Sequence, residues 1–243
     1  MKRGQITLFV IIAILLVSAV GIVIYTQRER VGLMTPQINT EIRPINSFIE
    51  NCIKSTGEDA LIFTGQQGGY YNLPYNSIDS YVYYFHNNRS YFPQEEIVEQ
   101  QISLYINEML PFCTKNFIDF PDFYIEADSN AIKTKTTILQ NKVIFFTEWP
   151  VSIKKGATTS ILKEFSSQID SRLNTIYAIT ANITDEQLKD PSSICLSCLT
   201  TLAIENDLYI DMENYDNAVL FTITDNNTLI NNQPYKFIFA NKY

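Results

Sequence analysis

An uninterrupted apolar block opens the chain. From Ile6 to Tyr25 there is no charged residue, and Thr7 and Ser18 are the only strongly polar members. As a helix, these 20 residues would be about 30 Å long, which matches the hydrocarbon core of a bilayer. The block ends at a Gln-Arg-Glu-Arg sequence that cannot stay in lipid. The pattern therefore predicts a transmembrane helix over residues 5–27.

The apolar positions that follow recur at a helical spacing. Isoleucines and one cysteine return every three or four residues and form one apolar stripe. They are Ile38, Ile42, Ile45, Ile49, Cys52 and Ile53. The stripe predicts a helix over 37–63, followed by a turn at Gly68-Gly69. Because Pro36 and Pro44 interrupt the path from the apolar block, we expect a kinked helical stalk rather than one straight helix.

An aromatic-rich stretch over 81–92 predicts a strand with a turn at Asn87-Asn88. Pro93 then begins a helix, with Glu95 and Glu96 in its first turn, where the helix dipole favours negative charge. The predicted core face of that helix comprises Val98, Ile102, Tyr105, Ile106 and Met109.

The second half of the chain mixes strand and helix patterns. Residues 133–139 and 142–149 predict a hairpin across Gln140-Asn141, and 158–177 predicts an amphipathic helix. The inward face of that helix is predicted to hold Leu162, Phe165, Ile169, Leu173 and Ile176. Further strands are predicted over 208–212, 218–224 and 235–240, with a turn at 225–227. Since the strands are grouped late and the helices do not alternate strictly with them, the pattern favours an α+β domain.

Charge separates the apolar block from the rest of the chain. The protein has 243 residues and a formal net charge of −8. Residues 1–30 hold four basic residues and one acidic residue, which leaves 14 basic and 25 acidic residues, a net charge of −11, over 31–243. Nucleic-acid binding needs clustered Lys and Arg, so this acidity argues against a nucleic acid as a partner. Lys2, Arg3 and the terminal amine precede the block and favour an orientation with 31–243 outside the cell.

The residues before the apolar block form a recognisable motif. The sequence Lys2-Arg3-Gly4-Gln5-Ile6 places a basic residue, a glycine and a glutamine directly before an apolar run. This resembles the class III signal peptide of archaeal type IV pilins and related surface proteins, over residues 2–25. The bacterial pilin pattern fits poorly, because Phe9 stands where those proteins usually carry a glutamate.

The resemblance implies that a prepilin-type peptidase removes a leader over 1–4, with Arg3, Gly4 and Gln5 as the processing residues. The apolar helix would then remain, holding the subunit in the membrane through residues 6–25. It would later pack against copies of itself in a filament. Small residues over 17–21 permit such close helix approach. A plain signal anchor and an ordinary cleaved secretory signal remain as alternatives.

Four cysteines, an even number, suggest disulfides in a domain placed outside the membrane. Three pairings are possible, and we favour Cys52–Cys113 together with Cys195–Cys198. A redox role for the second pair would require a thioredoxin-like setting, with the Cys-x-x-Cys motif at a helix start after a strand. A four-cysteine zinc site is the remaining alternative, although a second Cys-x-x-Cys motif is missing.

Three Asn-X-Ser/Thr sequons are glycosylation candidates, at Asn88, Asn182 and Asn226. Each lies in or beside a predicted loop, where a glycan could be accommodated.

No arrangement typical of an enzyme is found. His86 is the only histidine, which excludes metal sites built on two histidines, and we expect it at a strand end. Nucleophile elbows, phosphate-binding loops and dinucleotide fingerprints are also missing. We therefore expect no catalytic residue, cofactor or metal. A hydrolase that uses paired carboxylates is a minor alternative, since 26 acidic residues produce such pairs by chance.

These features together predict a structural protein of the cell surface, a pilin-like subunit of an archaeal type IV pilus-like filament. The alternative is a single-pass surface protein that never assembles and whose outer domain, over 31–243, binds a ligand or another protein.

Overall fold

A computed structural model describes residues 40–243. Their helices and strands combine into the mixed α+β domain that the sequence predicts. Residues 44–243 form one unit with its own core. The helices are α1 (Arg43–Gln66), α2 (Glu95–Thr114), α3 (Leu173–Lys189) and α4 (Leu196–Asn206). The strands are β1 (Ser77–Ile78), β2 (Tyr81–His86), β3 (Arg89–Ser90), β4 (Tyr124–Ala127), β5 (Lys133–Leu139), β6 (Lys142–Lys155), β7 (Thr158–Asp170), β8 (Tyr209–Tyr215), β9 (Ala218–Ile230) and β10 (Gln233–Asn241).

The predicted transmembrane helix over 5–27 lies outside the described residues. Among residues 40–243, none of the helices combines the length and the apolarity that a bilayer crossing requires.

The first sheet joins the two ends of the domain. Its strand order is β1-β2-β10-β9-β8, with β3 added to β2. The last strand, β10, pairs in parallel with β2 and antiparallel with β9. The C-terminal end of the chain is therefore held beside an early strand.

The predicted turn between β2 and β3 is confirmed, with Asn87 and Asn88 at φ of 53° and 57°.

The second sheet is built around β6. Strand β7 pairs with β6 along nearly its full length, while β5 and β4 pair with successive parts of β6. The predicted hairpin is confirmed, since Leu139 pairs with Lys142 across Gln140-Asn141. Strand β6 continues beyond the predicted end at 149, as far as Lys155.

Aromatic side chains fill much of the core. Tyr84 stacks on Phe239 at a centroid distance of 4.7 Å, and Phe239 stacks on Phe221 at 5.1 Å. Trp149 and Phe145 are buried on the second sheet. Full burial of a large apolar side chain contributes about 1.5–3 kcal/mol, so each of these residues stabilises the domain substantially.

Helix α1 packs into the domain instead of standing away from it as a stalk. Ile45, Ile49 and Ile53 are fully buried. Gly57 lies so close to the Phe145 ring of β6 that a Cβ atom there would overlap the ring. The helix begins at Arg43, after a turn over 40–42, so the following proline falls in the first turn, where its missing N–H is tolerated.

Helix α2 covers the open edge of β5. Three of its side chains, four residues apart, accept hydrogen bonds from backbone N–H groups of β5 that point away from β6. Glu99 accepts from Ile138 at 2.7 Å. Ser103 accepts from Thr136 at 3.0 Å, and Asn107 accepts from Thr134 at 2.8 Å. Four residues of helix rise about 6 Å and two residues of strand about 6.8 Å, so the two repeats stay in step.

The apolar face of α2 largely follows the prediction. The fully buried apolar side chains are Val98, Ile102, Ile106 and Leu110. Tyr105 and Met109, predicted for the same face, are only half-buried. Glu95 and Glu96 lie in the first turn, as predicted.

Residues 158–170 form strand β7, so the predicted helix over 158–177 is wrong there, and α3 begins only at Leu173. The residues predicted to point inward are nevertheless all buried: Leu162, Phe165, Ile169, Leu173 and Ile176.

A β-bulge explains why this strand has a helical pattern. The pairing skips one residue of β6, so that Trp149 and Pro150 together oppose Lys163. The buried residues of β7 on the two sides of the bulge, Leu162 and Phe165, are therefore three positions apart, and the next buried residue follows four later. That spacing is the one expected of an amphipathic helix.

The predicted turn at 225–227 is also wrong, because β9 continues to Ile230 and the chain reverses at Asn231-Asn232. The register of β9 and β10 shifts here, leaving 226–228 unpaired with β10. The Asn227 N–H donates to the Asp225 carboxylate at 2.9 Å, which is the side-chain-to-backbone bond of a turn. The turn-forming residues thus produce a bulge inside a strand.

The edge contact between α2 and β5 is tested by Ser103→Ala. The change removes the acceptor of the buried Thr136 N–H, and we expect the free energy of unfolding to fall by about 1–3 kcal/mol. Urea unfolding of the full chain measures it. Ser55→Ala, at an exposed position of α1, is the control and should cost less than about 0.5 kcal/mol. Equal losses in both variants would contradict the assignment.

Candidate functional site

The residues on which the functional prediction depends, Arg3, Gly4 and Gln5, lie outside the described residues, as does the apolar segment 6–25. Within residues 40–243, the candidate features are the two cysteine pairs, the three sequons, the aromatic stretch over 81–92 and the buried charges.

The predicted cysteine pairing is confirmed for Cys52–Cys113. The two sulfur atoms are at disulfide distance, with the Cα atoms 5.7 Å apart. Cys52 lies in the middle of α1, and Cys113 lies in the last turn of α2. The bond links residues 61 positions apart. Closing a loop of this length contributes about 4 kcal/mol in the chain-entropy account.

The second predicted pair, Cys195–Cys198, is also confirmed, with Cα atoms 5.2 Å apart. Cys195 is the residue that caps the N-terminus of α4, and its sulfur accepts a hydrogen bond from the Cys198 N–H at 3.3 Å. The element before it is helix α3 and a short loop, so the strand expected of a thioredoxin-like setting is not in that position. Because the four cysteines form two separate pairs, they do not make one zinc site.

The three sequons lie in different settings. Asn88 is exposed in the turn between β2 and β3, as predicted, and Ser90 of the same sequon is exposed as well. Asn182 lies in α3 rather than in a loop, and its Nδ2 donates to the Ala178 carbonyl at 3.0 Å. The hydroxyl residue of that sequon, Thr184, is buried.

Asn226 lies in the bulge of β9, where its side chain is exposed. Thr228 of its sequon is buried, and its hydroxyl donates to Asp225 at 2.7 Å. Of the three sequons, only that of Asn88 exposes both the asparagine and the hydroxyl residue.

The aromatic stretch is largely part of the core. Tyr83, Tyr84 and Phe85 are buried, and the Tyr84 hydroxyl donates to the Gly68 carbonyl at 2.9 Å. His86 ends β2, as predicted, with its ring 5.0 Å from that of Tyr83. Within the described part of the chain, no three His, Cys, Asp or Glu residues are grouped as a metal site would need. Packing therefore explains most of this stretch.

An ion pair between Arg172, whose side chain is 24% exposed, and the fully buried Asp225 was not apparent from the sequence. Arg172 lies between β7 and α3, and Asp225 is fully buried in β9. Two guanidinium nitrogens donate to the carboxylate, at 3.0 Å and 2.5 Å. The same guanidinium donates to the carbonyls of Asn206 and Asp207 at the end of α4, where a cation also interacts favourably with the helix dipole.

The carboxylate of Asp225 has further donors that stabilise its charge. The Thr228 hydroxyl and the Asn227 N–H both donate to it. Burial raises the pKa of Asp225, but the hydrogen bonds from Arg172, Thr228 and Asn227 outweigh burial and leave the pKa below its usual value. The Asp225 side chain is therefore ionised at neutral pH in the folded domain.

The chain matches no family model, no curated protein and no solved structure. Any functional conclusion therefore depends on the residues themselves.

Replacing Arg172 with methionine tests this ion pair. The change leaves the buried Asp225 carboxylate without its cation, and because Arg172 is 24% exposed we expect a cost of about 3 kcal/mol, the low end of the range for fully buried pairs. Lys189→Met is the matched control, because it removes an ion pair with Glu186, 2.6 Å long, that is solvent-exposed and therefore screened by water. Urea unfolding of both variants gives the comparison, and a loss in the Arg172 variant no larger than in the control would contradict the role.

The pH dependence of unfolding gives a second measurement. Because folding lowers the pKa of Asp225, the ionised carboxylate stabilises the folded state fully above its pKa in the unfolded chain, which is about 3.9. This stabilisation is lost as the pH falls through the lower pKa of the folded state. The wild-type domain should therefore lose stability below about pH 4. In the Arg172→Met variant this acid-induced loss should be smaller, since the unpaired buried carboxyl already favours its protonated form.

Proposed function

We propose that this protein is a pilin-like subunit of an archaeal type IV pilus-like filament. The observation that carries the proposal is the sequence Lys2-Arg3-Gly4-Gln5 directly before an uncharged apolar block. In this proposal a prepilin-type peptidase cuts after Gly4. The apolar segment 6–25 first holds the subunit in the membrane and then associates with the same segment of other subunits.

The properties of the C-terminal domain are consistent with this role. Two disulfides suit an oxidising environment outside the cytoplasm. The excess of acidic residues over 31–243 keeps such a domain away from anionic lipid headgroups. The proposal therefore places the domain at the cell surface or on a filament. It acts there as a structural, non-enzymatic element.

The mature N-terminus is the decisive measurement. Mass spectrometry of protein from the cell surface should find Gln5 as the first residue, and Gly4→Asp should abolish that cleavage. Gly4→Ala is the matched control, because it keeps a small residue at the cleavage position and should still be processed. An intact Met1 in surface-exposed protein would contradict processing and favour the alternative, a single-pass anchored protein that does not assemble.

Assembly needs a separate experiment. Electron microscopy of cells that express the wild-type chain should show filaments that are lost in a deletion strain and in the Gly4→Asp strain. Filaments should return with the Gly4→Ala chain. Correct cleavage without filaments would leave a processed surface protein and would overturn the assembly part of the proposal.

A glycan on Asn88 forms part of the proposed surface role. Asn88→Gln should lower the mass of the mature protein by one glycan, because this sequon is exposed in a turn. Asn182→Gln should leave the mass of attached glycan unchanged, since Thr184 of that sequon is buried in α3. Intact-protein mass spectrometry measures both, and glycan loss in the Asn182 variant alone would contradict the assignment.

A further inference from the structure

The segment 112–124, which runs from the last turn of α2 to the start of β4, exposes large apolar side chains close together along the chain. Phe112 is 74% exposed, Ile118 is 73% exposed and Tyr124 is 63% exposed. Phe120 and Phe123 of the same segment are half-buried. Clustered apolar side chains in solvent are unusual for a soluble domain and mark a surface that contacts a partner or a membrane.

The core holds this segment in place. Phe117 at its centre is buried, and its ring centroid lies 5.8 Å from that of Trp149 and 6.3 Å from that of Phe48. Lys115, Asn116 and Phe117 all have positive φ, between 45° and 57°, which is uncommon for residues other than glycine. The exposed side chains therefore belong to a loop with a fixed course, and packing inside the domain does not account for them.

The segment lies beside the start of α1. Phe48, in the second turn of α1, has its ring centroid 5.2 Å from that of Phe120. The helix begins only five residues earlier, at Arg43, which corresponds to about 7.5 Å along its axis. The 17 residues 26–42 connect this point to Tyr25, the last residue of the apolar block, and span at most about 60 Å. The start of α1, and the segment with it, is therefore the part of the domain that the chain itself ties to the block.

The charged side chains of this surface are of both signs, unlike the excess of acidic residues in the domain as a whole. Those that lie in the segment or pair with its residues include Lys115, Asp119, Asp122, Glu126, Lys154 and Lys155. Three of these are basic and three are acidic, whereas residues 31–243 together carry a net charge of −11. The repulsion that keeps the whole domain away from anionic headgroups is therefore weak here, and burial of apolar area would drive the contact.

We propose that the 112–124 segment is a lipid-contacting surface, which rests in the headgroup region of the membrane that holds the apolar block. The side chains of Phe112 and Ile118 reach the boundary between headgroups and acyl chains, while the lysines and the Tyr124 hydroxyl stay among the polar headgroups. The inference rests on the membrane anchoring in the proposed function but not on filament assembly. Its consequence is that the membrane-stored subunit holds its domain in one orientation against the bilayer.

Fluorescence quenching by lipid, measured on the full chain, tests the proposal. All four native cysteines are paired, so Ile118→Cys introduces the single free thiol for a nitrobenzoxadiazole label. The labelled chain is reconstituted in phosphatidylcholine vesicles, with and without lipids that carry a nitroxide on the headgroup. We expect the emission from position 118 to shift to shorter wavelength on reconstitution and to lose intensity with the nitroxide lipids.

Ile204→Cys is the matched control, because Ile204 is a 76% exposed isoleucine on α4, which packs against α3 and β8. Its label should show neither the shift nor the loss of intensity. Equal quenching at both positions would overturn the proposal. A shift at position 118 without quenching by the nitroxide lipids would also overturn it, since protein rather than lipid would then cover the segment.

Flotation of the same vesicles separates this inference from the anchoring on which it rests. A chain that does not float with the vesicles would contradict membrane anchoring by residues 6–25 and would overturn both. A chain that floats while the label at position 118 stays unquenched would overturn this inference alone.

A pair of serine substitutions tests whether the native side chains, and not the label, make the contact. With the label at Asp119→Cys, we expect lipid quenching that is lost when Phe112→Ser and Ile118→Ser are combined. Leu196→Ser with Ile204→Ser, at two exposed apolar residues of α4, should leave the quenching unchanged. Quenching that persists in the first pair, with an unaltered near-ultraviolet circular dichroism spectrum, would overturn the role of these side chains.

Discussion

The second sheet depends on the hydrogen bonds that α2 makes with the open edge of β5. Backbone N–H groups at a sheet edge must find acceptors if they are buried, and here they find Glu99, Ser103 and Asn107. The contact sets the direction of α2 along the strand. Because α2 ends beside Cys113, the same contact positions that cysteine for its bond to α1.

A second junction holds the sheets and helices of the C-terminal half together. Arg172 follows the last strand of the second sheet, and its guanidinium reaches both Asp225 in the first sheet and the end of α4. Such a pair contributes little net stability over an apolar contact of the same shape, but losing one partner is costly. The arrangement therefore favours one packing of these elements over others.

The sequence predicted an element well where the spacing of its buried residues stays regular from one end of the helix or strand to the other. The helix after Pro93 and the hairpin across Gln140-Asn141 are such cases. The prediction failed at 158–170, because a bulge in the partner strand β6 shifted the buried positions of β7 to a helical spacing. A bulge depends on the pairing of two strands, so the periodicity of one strand cannot reveal it.

The same division holds for the candidate sites. The sequence by itself determined the apolar block over 6–25, the motif at Arg3-Gly4-Gln5 and the positions of the sequons, since these are read along the chain. The cysteine pairing could be argued from the sequence, but three pairings were open and only the tertiary structure decided among them. It also decided which sequon exposes its hydroxyl residue and brought together Arg172 and Asp225, 53 positions apart. Such contacts depend on distances in space, and local propensities carry no information about them.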